Sequence, residues 1–175
     1  MTPTLPQTLG ALLSRDLAAF RRTIAAFPDD RGPWTPVPGV PNTAGTLALH
    51  AAGNLRHFVG AALGGTGYVR DRAAEFARRD VSRAELVEGL EAAEREVKAT
   101  LAALDPATLE AEHPMPPTGL RVTTADYLIH LATHLSFHLG QADTHRRAVT
   151  GDTASVSPVS VRELASARVS ESVKS

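Results

Sequence analysis

Large apolar residues recur at intervals of three and four along four long segments of this chain. In the first segment they keep to one broad face, with Leu9, Leu13, Leu17, Phe20, Ile24 and Phe27. The third segment repeats the pattern with Leu86, Leu90, Ala93, Val97, Leu101 and Leu104. An α-helix with this spacing carries one apolar stripe that must be buried against a neighbour. The spacing therefore predicts an all-α fold built from four packed helices.

Capping residues and helix breakers delimit the four predicted helices. The first predicted helix ends at Pro28. The second begins near Asn42 or Thr43 and ends at Gly64, and the third begins at Ser82. The fourth begins near Thr123 and ends at Gly151. Ser82 stands three residues before Glu85, which is the spacing of a capping box. The connections over 28–41 and, after its first turn, 105–122 are predicted to be loops, because proline removes a helical amide and clashes with the preceding turn.

The length of the chain suits one domain. Its 175 residues can bury one core, and a four-helix bundle with long connections uses most of them. The connection over 64–81 is long enough to run along a helix of about 30 Å, so the second and third predicted helices can lie parallel. We predict a four-helix bundle over residues 1–151 with one long crossover. The tail over 152–175 is predicted to be weakly ordered or to hold a short helix around 159–169.

Charge and composition narrow the functional classes. The 18 basic and 19 acidic residues give a formal net charge of −1, and without a block of one sign they predict no binding surface for nucleic acid or an anionic membrane. No apolar run approaches the ~20 residues of a membrane span, and the first residues lack a cationic leader segment, which favours a cytoplasmic protein. The chain has no cysteine, so any thiol in its chemistry must come from outside.

Histidines at four-residue steps mark the last predicted helix. His130, His134 and His138 are followed by Gln141 in the run LIHLATHLSFHLGQ. Residues four apart lie on one stripe of a helix. Imidazole is the commonest metal ligand in proteins, and a pair at this spacing directs two ring nitrogens to one point. The pattern indicates two ligands of a metal site that needs at least one more.

A second histidine group could supply the missing ligand. His50, Asn54 and His57 share one stripe of the second predicted helix. Three neutral imidazoles, with positions left for water or substrate, are typical of a catalytic rather than a structural metal site. We prefer His50, His134 and His138 as the metal ligands.

Other interpretations of these histidines stay open. Each could lie at the bundle edge and bond to backbone or solvent, and another helix orientation would bring His57 or His130 into the site. Glu110 and His113 have the spacing of a di-iron motif, but they precede Pro114 in a proline-rich loop, so we set that interpretation aside. A Ser/His/Asp triad assembled in three dimensions also stays open, although no nucleophile-elbow motif is present.

Two arginines follow the second predicted helix. Arg70 and Arg72 lie in the run GYVRDRAAEF, where they could bind a carboxylate or phosphate of a cofactor or substrate. A loop with solvated charges is the simpler interpretation of the same residues.

The motifs resemble those of the DinB/YfiT-like family of bacterial four-helix proteins. The likeness extends from about Leu9 to Gly151 and rests on LALHAAGNLRHFVGAALGG, the RDRAAEF that follows it, and LIHLATHLSFHLGQ. It implies an up-down-down-up bundle that commonly forms a homodimer. It also implies a divalent metal ion, often nickel or zinc, held by His50, His134 and His138. Asn54, His57 and His130 match one branch of the family.

The resemblance further implies chemistry with an external thiol. Relatives include S-transferases and maleylpyruvate isomerases that use low-molecular-weight thiols such as bacillithiol or mycothiol. Because a Lewis-acidic ion lowers the pKa of a bound thiol, we predict a metal-dependent S-transferase that joins such a thiol to an electrophile. His57, His130 or Gln141 would supply hydrogen bonds or proton transfer. A metal-dependent hydrolase and a non-catalytic, stress-associated metal-binding dimer stay open as alternatives.

Overall fold

The structure is a computed structural model that describes residues 2–115, 119–156 and 159–169. Its α-helices are α1 (Leu5–Ala25), α2 (Ala44–Leu55), α3 (Arg72–Ala77), α4 (Arg83–Ala103) and α5 (Thr124–Thr150). Short 3₁₀ turns occur at Gly32–Trp34, Pro106–Leu109 and Val161–Glu163. The described residues form isolated β-bridges between Val37 and Val40 and between Glu112 and Thr123, but no strand. The all-α prediction is confirmed.

The helix starts follow the capping signals in the sequence. Thr43 and Thr123 cap α2 and α5 with their side-chain oxygens, and Ser82 forms the predicted capping box with Glu85 at the start of α4. These side chains satisfy amides that the first helical turn leaves without a carbonyl partner. Gly151 ends α5 with a φ of 73°, a left-handed conformation that glycine adopts without a steric cost.

The second predicted helix changes its hydrogen-bond pattern part-way along. After α2 the chain is π-helical over Arg56–Ala61, and the Ala62 amide donates to the His57 carbonyl at 3.0 Å. A π-helical turn is wider than an α-helical one and recurs at functional sites. The sequence predicts one uninterrupted helix to Leu63, because apolar spacing over so short a segment does not separate the two periods.

The connection over 64–81 contains a helix that the sequence does not predict. Asp71 caps α3 by accepting a hydrogen bond from the Ala74 amide at 2.9 Å. α3 has only 6 residues, too few to display a recurring apolar stripe. It lies against α2 and buries Glu75.

The core lies where α1, α2, α4 and α5 meet. The fully buried apolar side chains include Leu13, Leu17, Phe20, Ile24, Phe27, Leu47, Leu55, Leu86, Leu90, Leu101 and Leu128. Burying each large apolar side chain contributes about 1.5–3 kcal/mol before the entropy of ordering it is subtracted. Among the described helices, none combines the length and the apolar character required to cross a membrane.

Contacts along α1 give the direction of its two neighbours. Arg21 pairs with Glu91 of α4 at 2.8 Å, whereas Gly10, earlier in α1, faces Leu101, later in α4. The two helices are therefore antiparallel. α5 runs in the same direction as α1. Ser136, in the middle of α5, donates to Asp16 in the middle of α1, and His145, near the end of α5, lies against Phe27, just after the end of α1.

α2 and α4 run in the same direction. Arg56, just after α2, pairs with Glu96 of α4 at 2.9 Å. Ala52, one turn earlier, faces Gly89, also earlier in α4. The connection over 64–81 therefore returns the chain from one end of the fold to the other, as its length allows.

A buried arginine attaches the residues after α5. The Arg146 side chain is 1% exposed, and it contacts Asp143 at 3.2 Å and Asp152 at 3.0 Å. It also donates to the carbonyl of Ala154. The short helix predicted around 159–169 is represented by the 3₁₀ turn at Val161–Glu163. Residues 157–158 and 170–175 of the predicted tail lie outside the described residues, and the domain boundary at 151 stays a prediction.

Candidate metal centre

Three histidines from two helices converge in the structure. His50 of α2 and His134 and His138 of α5 each offer a ring nitrogen, and these nitrogens lie within 4.8 Å of one another. The Nε2 atoms of His134 and His138 are 3.0 Å apart. The centroid of the His50 ring lies 5.3 Å from that of His134 and 5.1 Å from that of His138. The group preferred from the sequence is thus assembled in space and could hold a metal ion.

Packing of the helices explains the convergence. On α5 the core positions Leu135 and Leu139 are at most 5% exposed, so the residue before each of them, His134 or His138, lies half-buried at the edge of the core. On α2, His50 is 7% exposed and faces them. The four-residue spacing places both α5 rings on the same stripe.

Burial favours the neutral form of the two α5 imidazoles, His134 and His138. Burial, followed by the neighbouring His138, His50, His130 and Arg70, lowers the pKa of His134 to about 4. Burial also lowers the pKa of His138. A neutral imidazole has a lone pair for a metal ion, whereas an imidazolium has none. His134 and His138 are therefore in the protonation state that metal binding needs at neutral pH.

Hydrogen bonds assign the free nitrogen of two of the rings. The Nδ1 of His138 donates to Oε1 of Gln141 at 2.8 Å, and the Nδ1 of His50 donates to Oε2 of Glu75 at 3.0 Å. Each ring then presents the lone pair of Nε2. Neutral imidazoles suit zinc and nickel. The donor set of His50, His134 and His138 therefore fits a divalent metal ion of this kind.

Glu75 is the residue of this site that the sequence analysis missed. Its side chain is 6% exposed. Arg70 donates to it from Nε to Oε1 at 2.7 Å and from Nη2 to Oε2 at 2.8 Å. The only signal in the sequence is the RDRAAEF run, which places Glu75 five residues after Arg70. Nothing local in that run indicates that α3 folds back onto His50.

The helical fold agrees with the comparisons to known proteins. A family model of the DinB superfamily matches residues 12–142. The chain belongs to the DinB superfamily. A solved structure of a conserved protein from Enterococcus faecalis is similar to this DinB-superfamily chain, with a TM-score of 0.68 and 21% sequence identity over 86% of this chain and 100% of that one. At that identity the likeness shows the fold alone. No curated protein matches the chain.

The two arginines predicted to bind a cofactor have different surroundings. The Arg70 side chain is 10% exposed, and its charge is engaged by Glu75. Arg72 is exposed, and its guanidinium lies 5.1 Å from the centroid of the Phe76 ring. A role for either arginine in cofactor binding stays a prediction.

The residues predicted to assist catalysis differ in their contacts with the three histidines of this DinB-superfamily protein. Gln141 bonds directly to His138. The exposed His130 stacks between Tyr127 and His134, with ring centroids 5.8 and 5.7 Å away. His57 lies on the π-helical segment, and its buried Nδ1 has no hydrogen-bond partner among the described residues. Burial, followed by the charge of Arg70, lowers the pKa of His57.

Two further histidines stabilise loops. His145 is 1% exposed; its Nδ1 accepts from the Ala44 amide at 3.3 Å and its Nε2 donates to the Thr35 carbonyl at 2.8 Å. His113, also 1% exposed, donates from Nε2 to the Phe58 carbonyl at 3.0 Å. With their ring nitrogens engaged by the backbone, these histidines have structural roles.

A groove lies along α5 beside Gln141, the hydrogen-bond partner of His138. It has a volume of about 610 Å³ and lies between residues 39–42 and the α5 face that carries Phe137 and Gln141. Phe137 is 63% exposed, and its ring centroid is 5.5 Å from that of His138. Among the described residues that line the groove, none is Asp, Glu, Lys or Arg. Such a surface favours an uncharged ligand.

Proposed function

We propose that this protein is a metal-dependent S-transferase of the DinB superfamily that joins a low-molecular-weight bacterial thiol, such as bacillithiol or mycothiol, to an electrophile. The observation that carries the proposal is the convergence of three imidazoles whose ring nitrogens lie within 4.8 Å of one another. Three protein ligands leave positions open for an exogenous group, which is the arrangement of catalytic metal sites. The chain has no cysteine of its own, so the nucleophilic sulfur has to be supplied by a second substrate.

His50, His134 and His138 would hold the metal ion, with nickel or zinc the best match to their chemistry. When bound, the ion supplies a Lewis acid that lowers the pKa of a thiol and stabilises the thiolate. Gln141 keeps the His138 ring oriented by accepting its Nδ1 proton. Glu75 does the same for His50.

His57 is the proposed proton acceptor. Its Nδ1 has no hydrogen-bond partner among the described residues, and its lowered pKa keeps the ring neutral. In the proposed reaction the thiol proton passes to the His57 ring. The sulfur lone pair then forms the new carbon–sulfur bond, and the leaving group departs with the electron pair of the bond that breaks. The exposed His130 ring and the exposed Arg72 are proposed to contact the thiol or its carboxylates.

The uncharged groove beside Phe137 is the proposed place for the electrophile. Because Gln141 lines the groove and bonds to His138, an electrophile there would lie close to His138.

The experiment compares thiol conjugation by the nickel- or zinc-loaded wild type and by His134→Ala, with 1-chloro-2,4-dinitrobenzene as a model electrophile and bacillithiol or mycothiol as the nucleophile. We expect wild-type turnover well above the spontaneous rate and loss of that excess in the variant. Equal, slow rates for both proteins with both thiols would contradict the proposal. Hydrolytic turnover without thiol would instead support the hydrolase, and metal binding without turnover would support the non-catalytic module.

We further propose an up-down-down-up bundle that forms a homodimer. The antiparallel pair of α1 and α4 and the parallel pair of α2 and α4 support this helix order. The exposed face of α5 carries Ile129, Thr133 and Phe137 without a charged neighbour between them, which supports α5 as the dimer face. Sedimentation equilibrium of wild type and Phe137→Glu tests it, and two monomeric proteins would contradict it.

A further inference from the structure

Glu75 is a buried carboxylate with both oxygens engaged. Oε2 accepts from His50 Nδ1 at 3.0 Å and from Arg70 Nη2 at 2.8 Å, while Oε1 accepts from Arg70 Nε at 2.7 Å. Glu75 is 6% exposed and the Arg70 side chain 10% exposed. A bidentate arginine–carboxylate pair has a narrow range of geometries. Arg70 therefore fixes the position and direction of the carboxylate that His50 meets.

α2 has no side chain at the point where Glu75 approaches it. A Cβ added at Gly53 would lie 2.2 Å from Glu75 Oε1 and 2.9 Å from its carboxyl carbon. Side-chain flexibility would not relieve this contact cheaply, because Arg70 and His50 hold both carboxylate oxygens. The absence of a side chain at Gly53 is thus a requirement for the Glu75–His50 hydrogen bond.

Of the three histidines, His50 has the strongest hydrogen-bond acceptor behind it. His138 donates to the neutral amide of Gln141, whereas His50 donates to a carboxylate. A carboxylate acceptor selects one tautomer, orients the ring and makes the opposite nitrogen a better donor to a metal ion.

We propose that Glu75 is the positioning residue of His50 and sets the metal affinity of the site. Arg70 holds its carboxylate in place, and Gly53 leaves the space that it occupies. This inference rests on the metal site in the proposed function. In this proposal α3, which lies in the connection between α2 and α4, orients the metal ligand His50 of α2. Outer hydrogen-bond partners of this kind change metal affinity by about 10- to 100-fold.

The test measures affinity for Ni²⁺ and Zn²⁺ by competition with a chromophoric chelator in full-length wild type, Glu75→Gln and Gly53→Ala. We expect binding about 10- to 100-fold weaker in Glu75→Gln. Gly53→Ala should weaken binding in the same direction while the carboxylate is retained. The matched control is Gly140→Ala, also in the interior of a helix but with no atom within 4 Å of the added Cβ, and it should bind as the wild type does.

A spectroscopic readout separates positioning from a general loss of structure. The ligand-field spectrum of bound Co²⁺ should change in Glu75→Gln and Gly53→Ala and stay unchanged in Gly140→Ala. Since Glu75→Gln leaves Arg70 buried without its charge partner, the double variant Glu75→Gln/Arg70→Met is included. It should fold, as judged by circular dichroism, and still bind weakly.

The outcomes distinguish this inference from the proposed function. Wild-type affinity and an unchanged Co²⁺ spectrum in folded Glu75→Gln and Gly53→Ala would overturn the role of Glu75 and leave the metal site intact. Weakened binding in both variants, without thiol conjugation by the wild type, would support the role of Glu75 and contradict the S-transferase. A wild type that takes up none of the three metals would overturn both proposals.

Discussion

The Nε2 atoms of His134 and His138 lie 3.0 Å apart, one helical turn from each other on α5. Both rings are half-buried, and burial lowers the pKa of each. Two nitrogen lone pairs at this distance repel each other unless a proton or a cation lies between them. Because Gln141 accepts the Nδ1 proton of His138, a divalent cation can satisfy both Nε2 atoms without changing that hydrogen bond.

We expect near-stoichiometric nickel or zinc in wild type purified without a histidine tag, and strong loss of it in His50→Ala, His134→Ala and His138→Ala. Removing one of three protein ligands leaves a poor site. Elemental mass spectrometry gives the metal content. His130→Ala is the matched control, because it removes an exposed imidazole from the same stripe of α5. Metal retained in all three ligand variants would contradict the assignment.

Gln141→Leu should weaken metal binding without unfolding the protein. The change removes the acceptor of the His138 Nδ1 proton, so the ring is no longer held in the tautomer that presents Nε2, and a loss of about 10-fold is expected. Isothermal titration calorimetry with Zn²⁺ measures the effect. Thr144→Ala, another substitution in the groove wall, should leave the affinity unchanged. The prediction fails if both variants bind zinc equally.

The metal-free protein should lose stability as the pH falls below 6.5. Burial lowers the pKa of His145 from its ordinary 6.5. Between the pKa of the folded protein and that of the unfolded chain, the unfolded chain therefore binds more protons than the folded one. The contribution is fully present above pH 6.5 and is lost as the pH falls towards the folded pKa. His145→Gln should be less stable at pH 8 and show a shallower pH dependence.

Urea denaturation between pH 8 and pH 5.5 measures this pH dependence. Burial also lowers the pKa of His113, which contributes in the same direction, so the variant keeps part of the slope. An identical slope in wild type and His145→Gln would contradict the assignment.

Asp143→Ala should destabilise the fold by about 3–5 kcal/mol, because it leaves the guanidinium of Arg146 buried with one carboxylate fewer. Arg146 is 1% exposed, and the Asp143 side chain 9%. Asp152→Asn removes the other, half-exposed partner of Arg146, and solvent makes its loss smaller. Chemical denaturation at pH 7.5 gives both free energies of unfolding. Equal losses in the two variants would contradict this ranking.

The helix ends and the histidine trio could be predicted because their causes are local. Ser82 caps α4 through residues three positions away, and the spacing of His134 and His138 follows from the helix period. His50 could be predicted as the third ligand on the single assumption that α2 and α5 face each other.

The rest depends on contacts between distant segments. Glu75 reaches His50 across 25 positions of sequence, and no periodicity in the α3 run indicates that contact. The π-helical segment could not be predicted from the sequence either. Its wider turns are recognised from the hydrogen bond that the Ala62 amide donates to the His57 carbonyl, and the apolar spacing does not reveal them. The sequence analysis could name His57, but not its position on such a segment.

The close approach of Gly53 and Glu75 also has an evolutionary consequence. A mutation that adds a side chain at position 53 is tolerated only if position 75 shortens or α3 moves away, so the two positions should change together during divergence. Relatives with alanine at position 53 should then have lost the glutamate, and with it the arginine at position 70. Lineages would thus inherit or lose these three residues as one unit, while the histidines of α5 remain free to persist with another supporting group.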